Sequence, residues 1–88
     1  AGVDDRRDAQ PGSYRYLQIG AYGSRNFAQR LQGELQTVVA APVFVSEVDT
    51  GRSSLYRVRI GPVTDSDEMQ QVQRALQDGG YEPGQPLP

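Results

Sequence analysis

The chain has 88 residues, so one small domain is its ceiling. It holds no Cys and no His, which excludes disulfides, zinc fingers, haem and iron–sulfur ligation, and His-based nucleophilic triads. The formal charge is −2, with nine cations, all Arg, against eleven acids, a balance that argues against general nucleic-acid binding.

Residues 1–12 (AGVDDRRDAQPG) carry no apolar periodicity and read as a flexible linker or tail. The domain is expected over 13–88. No signal peptide is visible, as expected of a chain that begins at a domain boundary. No apolar run approaches the roughly 18 residues that a membrane span needs.

The first predicted element is a strand over Tyr14 to Tyr22. Leu17, Ile19 and Ala21 alternate there with Tyr16, Gln18 and Gly20, giving one apolar and one polar face. Gly23 breaks the strand, and Ser24 is a good N-cap, because its hydroxyl accepts an orphan backbone N–H. Phe27, Ala28, Leu31, Leu35, Val38 and Val39 then follow one helical face, and Pro42 is expected to stop that helix. Val43 to Val48 reads as a second strand and Leu55 to Ile60 as a third, joined by turn residues Asp49 to Ser53. In the third strand Tyr56, Val58 and Ile60 alternate with Leu55, Arg57 and Arg59. Asp65 and Glu68 have capping-box spacing. Met69, Val72, Ala75 and Leu76 form the stripe of a second helix, ended by Gly79 and Gly80. Tyr81 to Leu87 is at best an edge strand, because of Pro83 and Pro86.

The two halves echo one another. Setting Leu17 on Val58 also sets Ile19 on Ile60, Gly20 on Gly61, Leu31 on Val72 and Leu35 on Leu76. Two β-α-β halves in tandem predict an α+β domain of order βαββαβ, the split β-α-β arrangement also seen in ferredoxin-like and RNP-like modules. It has a four-stranded antiparallel sheet with both helices on one face, and strands one and three at its centre. The other face is then uncovered. It is expected to show Tyr16, Gln18 and Gly20 beside Arg57 and Arg59. Charge supports a ligand there. Residues 13–61 hold six Arg against three acids, whereas residues 62–88 hold one Arg against five acids.

Several function classes fall away. The acids Asp65, Asp67 and Glu68 gather at a helix start, where capping and the helix dipole account for them, so an enzyme is not expected. No cofactor is expected, and no calcium-loop spacing occurs. RNA-recognition modules share the predicted topology, but their glycine- and aromatic-rich third strand is absent, and Tyr56 falls on the core side. Each face residue also has an ordinary reading. Tyr16 and Tyr22 serve as strand aromatics, Gln18 as a solvated residue, and Arg57 and Arg59 as cross-strand partners of Glu47. Arg suits bidentate recognition, but its exclusive use is better explained by a GC-rich genome. A protein-docking module on the same face remains the alternative of a different class.

Tyr16-Leu17-Gln18-Ile19-Gly20-Ala21-Tyr22, a helix, Tyr56-Arg57-Val58-Arg59-Ile60-Gly61-Pro62 and a second helix together resemble the SPOR (sporulation-related repeat) domain. The third-strand wording is most like the form carried by septal lytic transglycosylases. The resemblance implies a non-catalytic module that binds peptidoglycan glycan strands lacking stem peptides and brings its host to the division septum. The implied host is periplasmic, in some cases an outer-membrane lipoprotein, with any catalytic domain outside this chain. The implied chain is a monomer that binds no nucleic acid. Carried onto this sequence, the resemblance sets Gln18, Ala21, Arg57 and, in the last strand, Gln85 on the binding face, and the reading of the open face adds Tyr16, Tyr22 and Arg59 as binding residues. The family often has Ser where Ala21 stands, so no hydroxyl is offered there.

Overall fold

Alternating apolar residues need a second layer to bury them, and here two helices supply it. The computed structural model describes residues 15–87. The elements are β1 (Tyr16–Tyr22), α1 (Arg25–Gln36), β2 (Val43–Asp49), β3 (Ser54–Ile60), α2 (Ser66–Asp78) and β4 (Gln85–Leu87). The four strands form one antiparallel sheet in the order β2-β3-β1-β4. Strands β3 and β1 are therefore central, and the α+β order expected from the sequence is the one observed. The expected tail, 1–12, lies outside the described residues. No helix among the described residues is long and apolar enough to cross a membrane.

The core lies between the sheet and the helices. Leu17, Val58 and Ile60 from the central strands meet Ala28, Leu31 and Leu35 of α1 and Met69, Val72 and Leu76 of α2. Among the described residues no polar side chain is buried. At about 1.5–3 kcal/mol per large apolar side chain, this cluster is the main stabilising term in a domain that has no staple. Ser24 caps α1 as expected, its hydroxyl accepting from the Phe27 N–H at 3.1 Å.

Three local expectations are corrected. Helix α1 ends at Gln36, well before Pro42. The Thr37 N–H and hydroxyl both donate to the Glu34 carbonyl, which closes the last turn. The Gln36 amide then bridges the loop, accepting from the Val43 N–H at 3.0 Å and donating to the Ala41 carbonyl at 3.0 Å. Val38 and Val39 follow helical spacing but pack from that loop, and Phe27 remains 47% exposed. The Asp65–Glu68 box is only half formed. Asp65 accepts from the Glu68 N–H at 2.8 Å, but the Glu68 carboxylate reaches past it to the Thr64 N–H at 2.6 Å.

The third correction shapes the site. β1 carries a bulge at Ile19. Leu17 opposes Ile60 and Gln18 opposes Arg59, but the next paired residue, opposite Val58, is Gly20. One extra residue reverses the facing of everything after it. Gly20 and Tyr22 therefore face the helices, not solvent, and Ala21 turns onto the open face. Ile19 still packs on the core.

Candidate functional site

The open face is assembled by register. Across β2, β3, β1 and β4 one row reads Phe44, Arg59, Gln18, Gln85. The next row toward the β2–β3 hairpin reads Ser46, Arg57, Ala21, and the one beyond it Val48, Leu55. At the other end stand Tyr16 and its β4 neighbour Leu87. Of the seven residues expected at the site, Tyr16, Gln18, Ala21, Arg57, Arg59 and Gln85 share this face. Tyr22 does not. The bulge sends it to the helix side, where its ring lies 4.9 Å from that of Phe27.

The two arginines differ. Arg59 is tethered, its Nε donating to Gln18 Oε1 at 3.1 Å in a part-buried bond. That bond holds the guanidinium over the sheet and leaves its terminal N–H groups for a ligand. Arg57 stands between the small side chains of Ser46 and Ala21. It makes no hydrogen bond or ion pair with another described residue. Two residues apart on one strand, the arginines sit about 7 Å from each other and give the sheet centre a positive field. Glu47, considered as their partner, opposes Tyr56 on the helix side. It pairs with Arg25 at 3.2 Å, while Arg25 also lies 5.5 Å from the centroid of the Tyr56 ring.

Reading the sequence missed Phe44, Ser46 and Gly61. Tyr16 and Phe44 lie on strands separated by β3, yet their rings meet edge to face at 6.1 Å. Gly61 makes this possible. A Cβ there would stand 2.7 Å from Tyr16 Cδ1 and 2.6 Å from the Arg15 carbonyl oxygen, and its φ is +144°. The glycine thus leaves a channel over β3 for the Tyr16 ring. The signal for Phe44 and Ser46 was present, because inward-facing Val43 and Val45 place both outward.

Chemically, the face combines a fork-shaped cation, a second cation tied to an amide, a hydroxyl, and an aromatic pair at one end. Guanidinium groups bind carboxylates bidentately, amides and hydroxyls match sugar hydroxyls and acetamides, and aromatic faces cover apolar sugar surfaces. Among the described residues no group of His, Cys, Asp or Glu is placed to hold a metal ion.

The SPOR domain family model matches residues 11–85. Over 75 residues the chain is 37% identical to the endolytic peptidoglycan transglycosylase RlpA from two strains of Pseudomonas aeruginosa, an alignment covering 84% of this chain. The chain spans only 22% of the length of those curated relatives. The crystal structure of the RlpA SPOR domain from Pseudomonas aeruginosa superposes with a TM-score of 0.73 at 38% identity, covering 83% of this chain and 93% of that one. The likeness is thus to a binding module rather than to a catalytic domain. In sequence and architecture together, this chain belongs to the SPOR domain family, whose members bind peptidoglycan.

Proposed function

We propose that the open face binds peptidoglycan glycan strands from which stem peptides have been removed, and that this binding brings the host protein to the division septum, in the periplasm. The observation that carries the reading is Arg57. It is a cation at the sheet centre, flanked by Ser46 and Ala21 and without a partner among the described residues. Removing a stem peptide leaves a free lactyl carboxylate on each muramic acid. That carboxylate suits Arg57, and Arg59 beside it, through charge-assisted hydrogen bonds. An intact stem peptide masks the charge and adds bulk above a face whose central row is small. Gln18 and Ser46 serve hydroxyl and acetamide groups. Tyr16 and Phe44 offer an apolar wall to one sugar.

The test is a pull-down of the 88-residue chain on intact and on amidase-treated sacculi. Retention should rise sharply on the treated material and fall about tenfold or more for Arg57→Ala, the loss of one charge-assisted contact. Equal retention on both, or undiminished retention of Arg57→Ala, would refute the reading. One observation favours protein docking instead. Val48 and Leu55 are opposed on the same face, near the hairpin. A docking partner would engage that end, and chemical-shift mapping with a peptide-free glycan separates the two by whether Leu55 or the Arg57–Gln18 rows respond.

A further inference from the structure

β4 is three residues long and pairs with β1 only from Tyr16 to Gln18. Beyond Gln18 this edge of β1 pairs with no other described strand. The chain entering β4 closes over it, leaving a depression of about 340 Å³ lined by Gln18, Gly20, Glu82 and Gln85 among others. Gly84 permits the close approach, with φ +80° and a would-be Cβ 2.9 Å from Leu17 Cγ and 3.0 Å from the Gln18 carbonyl oxygen. Gln18 is the shared wall, since its side chain holds Arg59 and the residue also lines the depression.

The electrostatics change sign across that wall. On the β3 side stand two arginines, whereas the depression is lined by the acidic residue Glu82, exposed and making no hydrogen bond to another described residue. A peptide-free glycan alternates in the same way: muramic acid carries a carboxylate and N-acetylglucosamine is neutral. We propose that the depression is a subsite for the neutral N-acetylglucosamine unit and rejects muramic acid, so that Glu82 sets the register of the glycan on the sheet. The inference rests on the glycan reading above. The amides of Gln18 and Gln85 and the unpaired β1 backbone serve the acetamide group. Glu82 accepts from sugar hydroxyls and opposes a lactyl carboxylate. The adjoining sugar then presents its carboxylate to Arg57 and Arg59.

The test is a set of amide chemical-shift titrations of the 88-residue chain. Chitotriose, which carries only N-acetylglucosamine, should shift Gly20, Glu82, Gly84 and Gln85. Free N-acetylmuramic acid should shift Ala21 and Arg57 but leave Gly20 and Gly84 unmoved. In Glu82→Arg it should reach Gly20 and Gly84 as well, with an apparent affinity at that second position at least tenfold higher than in the parent. Glu82→Gln, which alters charge with little change of shape, should show a smaller gain in the same direction. Chitotriose leaving the depression unperturbed overturns the inference. So does N-acetylmuramic acid shifting Gly20 and Gly84 equally in the parent and in Glu82→Arg. If peptide-free glycan fails to shift Arg57 while chitotriose still fills the depression, the denuded-strand reading falls and the subsite stands.

Discussion

Gly61→Ala should be the most damaging methyl addition in this domain. A side chain at φ +144° sits where L residues carry a cost of about 1–3 kcal/mol. The new methyl would also stand 2.6 Å from the Arg15 carbonyl oxygen. That oxygen accepts from the Val63 N–H at 2.8 Å, and the Gly61 N–H itself donates to the Pro42 carbonyl at 2.8 Å. Relief of the clash must loosen one of these bonds, each worth about 1 kcal/mol. A total near 3 kcal/mol is a large share of the roughly 5–15 kcal/mol that holds a small domain together. It should lower Tm by about 12–24 °C in a domain of this size. Thermal and urea unfolding followed by circular dichroism would measure it. Gly33→Ala is the matched control. Gly33 lies inside α1 with nothing within 4 Å of an added Cβ, so the same methyl should stabilise by up to ~1 kcal/mol. A loss below about 4 °C for Gly61→Ala, or a loss of similar size for Gly33→Ala, would refute the reasoning.

Gln18→Glu should weaken binding to peptide-free glycan by about tenfold without lowering Tm, because a carboxylate in place of the amide neutralises Arg59 through the bond it already makes; unchanged affinity on amidase-treated sacculi would count against the open face. Leu35→Ala removes a fully buried side chain and should cost about 2–5 kcal/mol in urea unfolding, so a loss under 1 kcal/mol would contradict the assigned core. The Tyr81 phenol is held above its usual pKa by burial and then by the Glu34 carboxylate, to which it donates at 3.2 Å. Its contribution is fully present below the unfolded value of about 10 and is lost as pH rises through the higher folded value. Tyr81→Phe should therefore flatten the decline of stability above pH ~10, and an unchanged alkaline slope would refute the assignment.

Much of the fold was legible because both secondary-structure periods are clean. Leu17, Val58 and Ile60 sit where period two put them, and Leu31, Leu35, Val72 and Leu76 where the helical period put them. The central placement of β1 and β3 followed from the echo between the halves. The Ile19 bulge was not legible, because an extra residue in a strand leaves the apolar alternation of Leu17, Ile19 and Ala21 looking unbroken. That misplaced Gly20 and Tyr22 and put Ala21 on the wrong face by pattern alone, although family resemblance had set it on the binding face. The end of α1 was missed for another reason. Val38 and Val39 are apolar at helical spacing, but Thr37 and the Gln36 side chain satisfy the last carbonyls and the loop locally. The alternation of β2 places Phe44 outward, but its contact with Tyr16 depends on Gly61, and a glycine that opens a channel between two rings leaves no mark in a hydropathy pattern.

The short last strand also makes its edge of the sheet a poor template for strand addition. An uncovered edge strand is a template on which another chain can add a strand and start aggregation. β4 offers three residues, and Pro86 in its middle has no N–H to donate, so its outer side makes a poor template. The bare stretch of β1 beyond it begins at a bulge, which adds twist and spoils the straight ladder an incoming strand would need. An edge can thus stay open to solvent and small molecules while offering a neighbouring polypeptide no straight ladder to join.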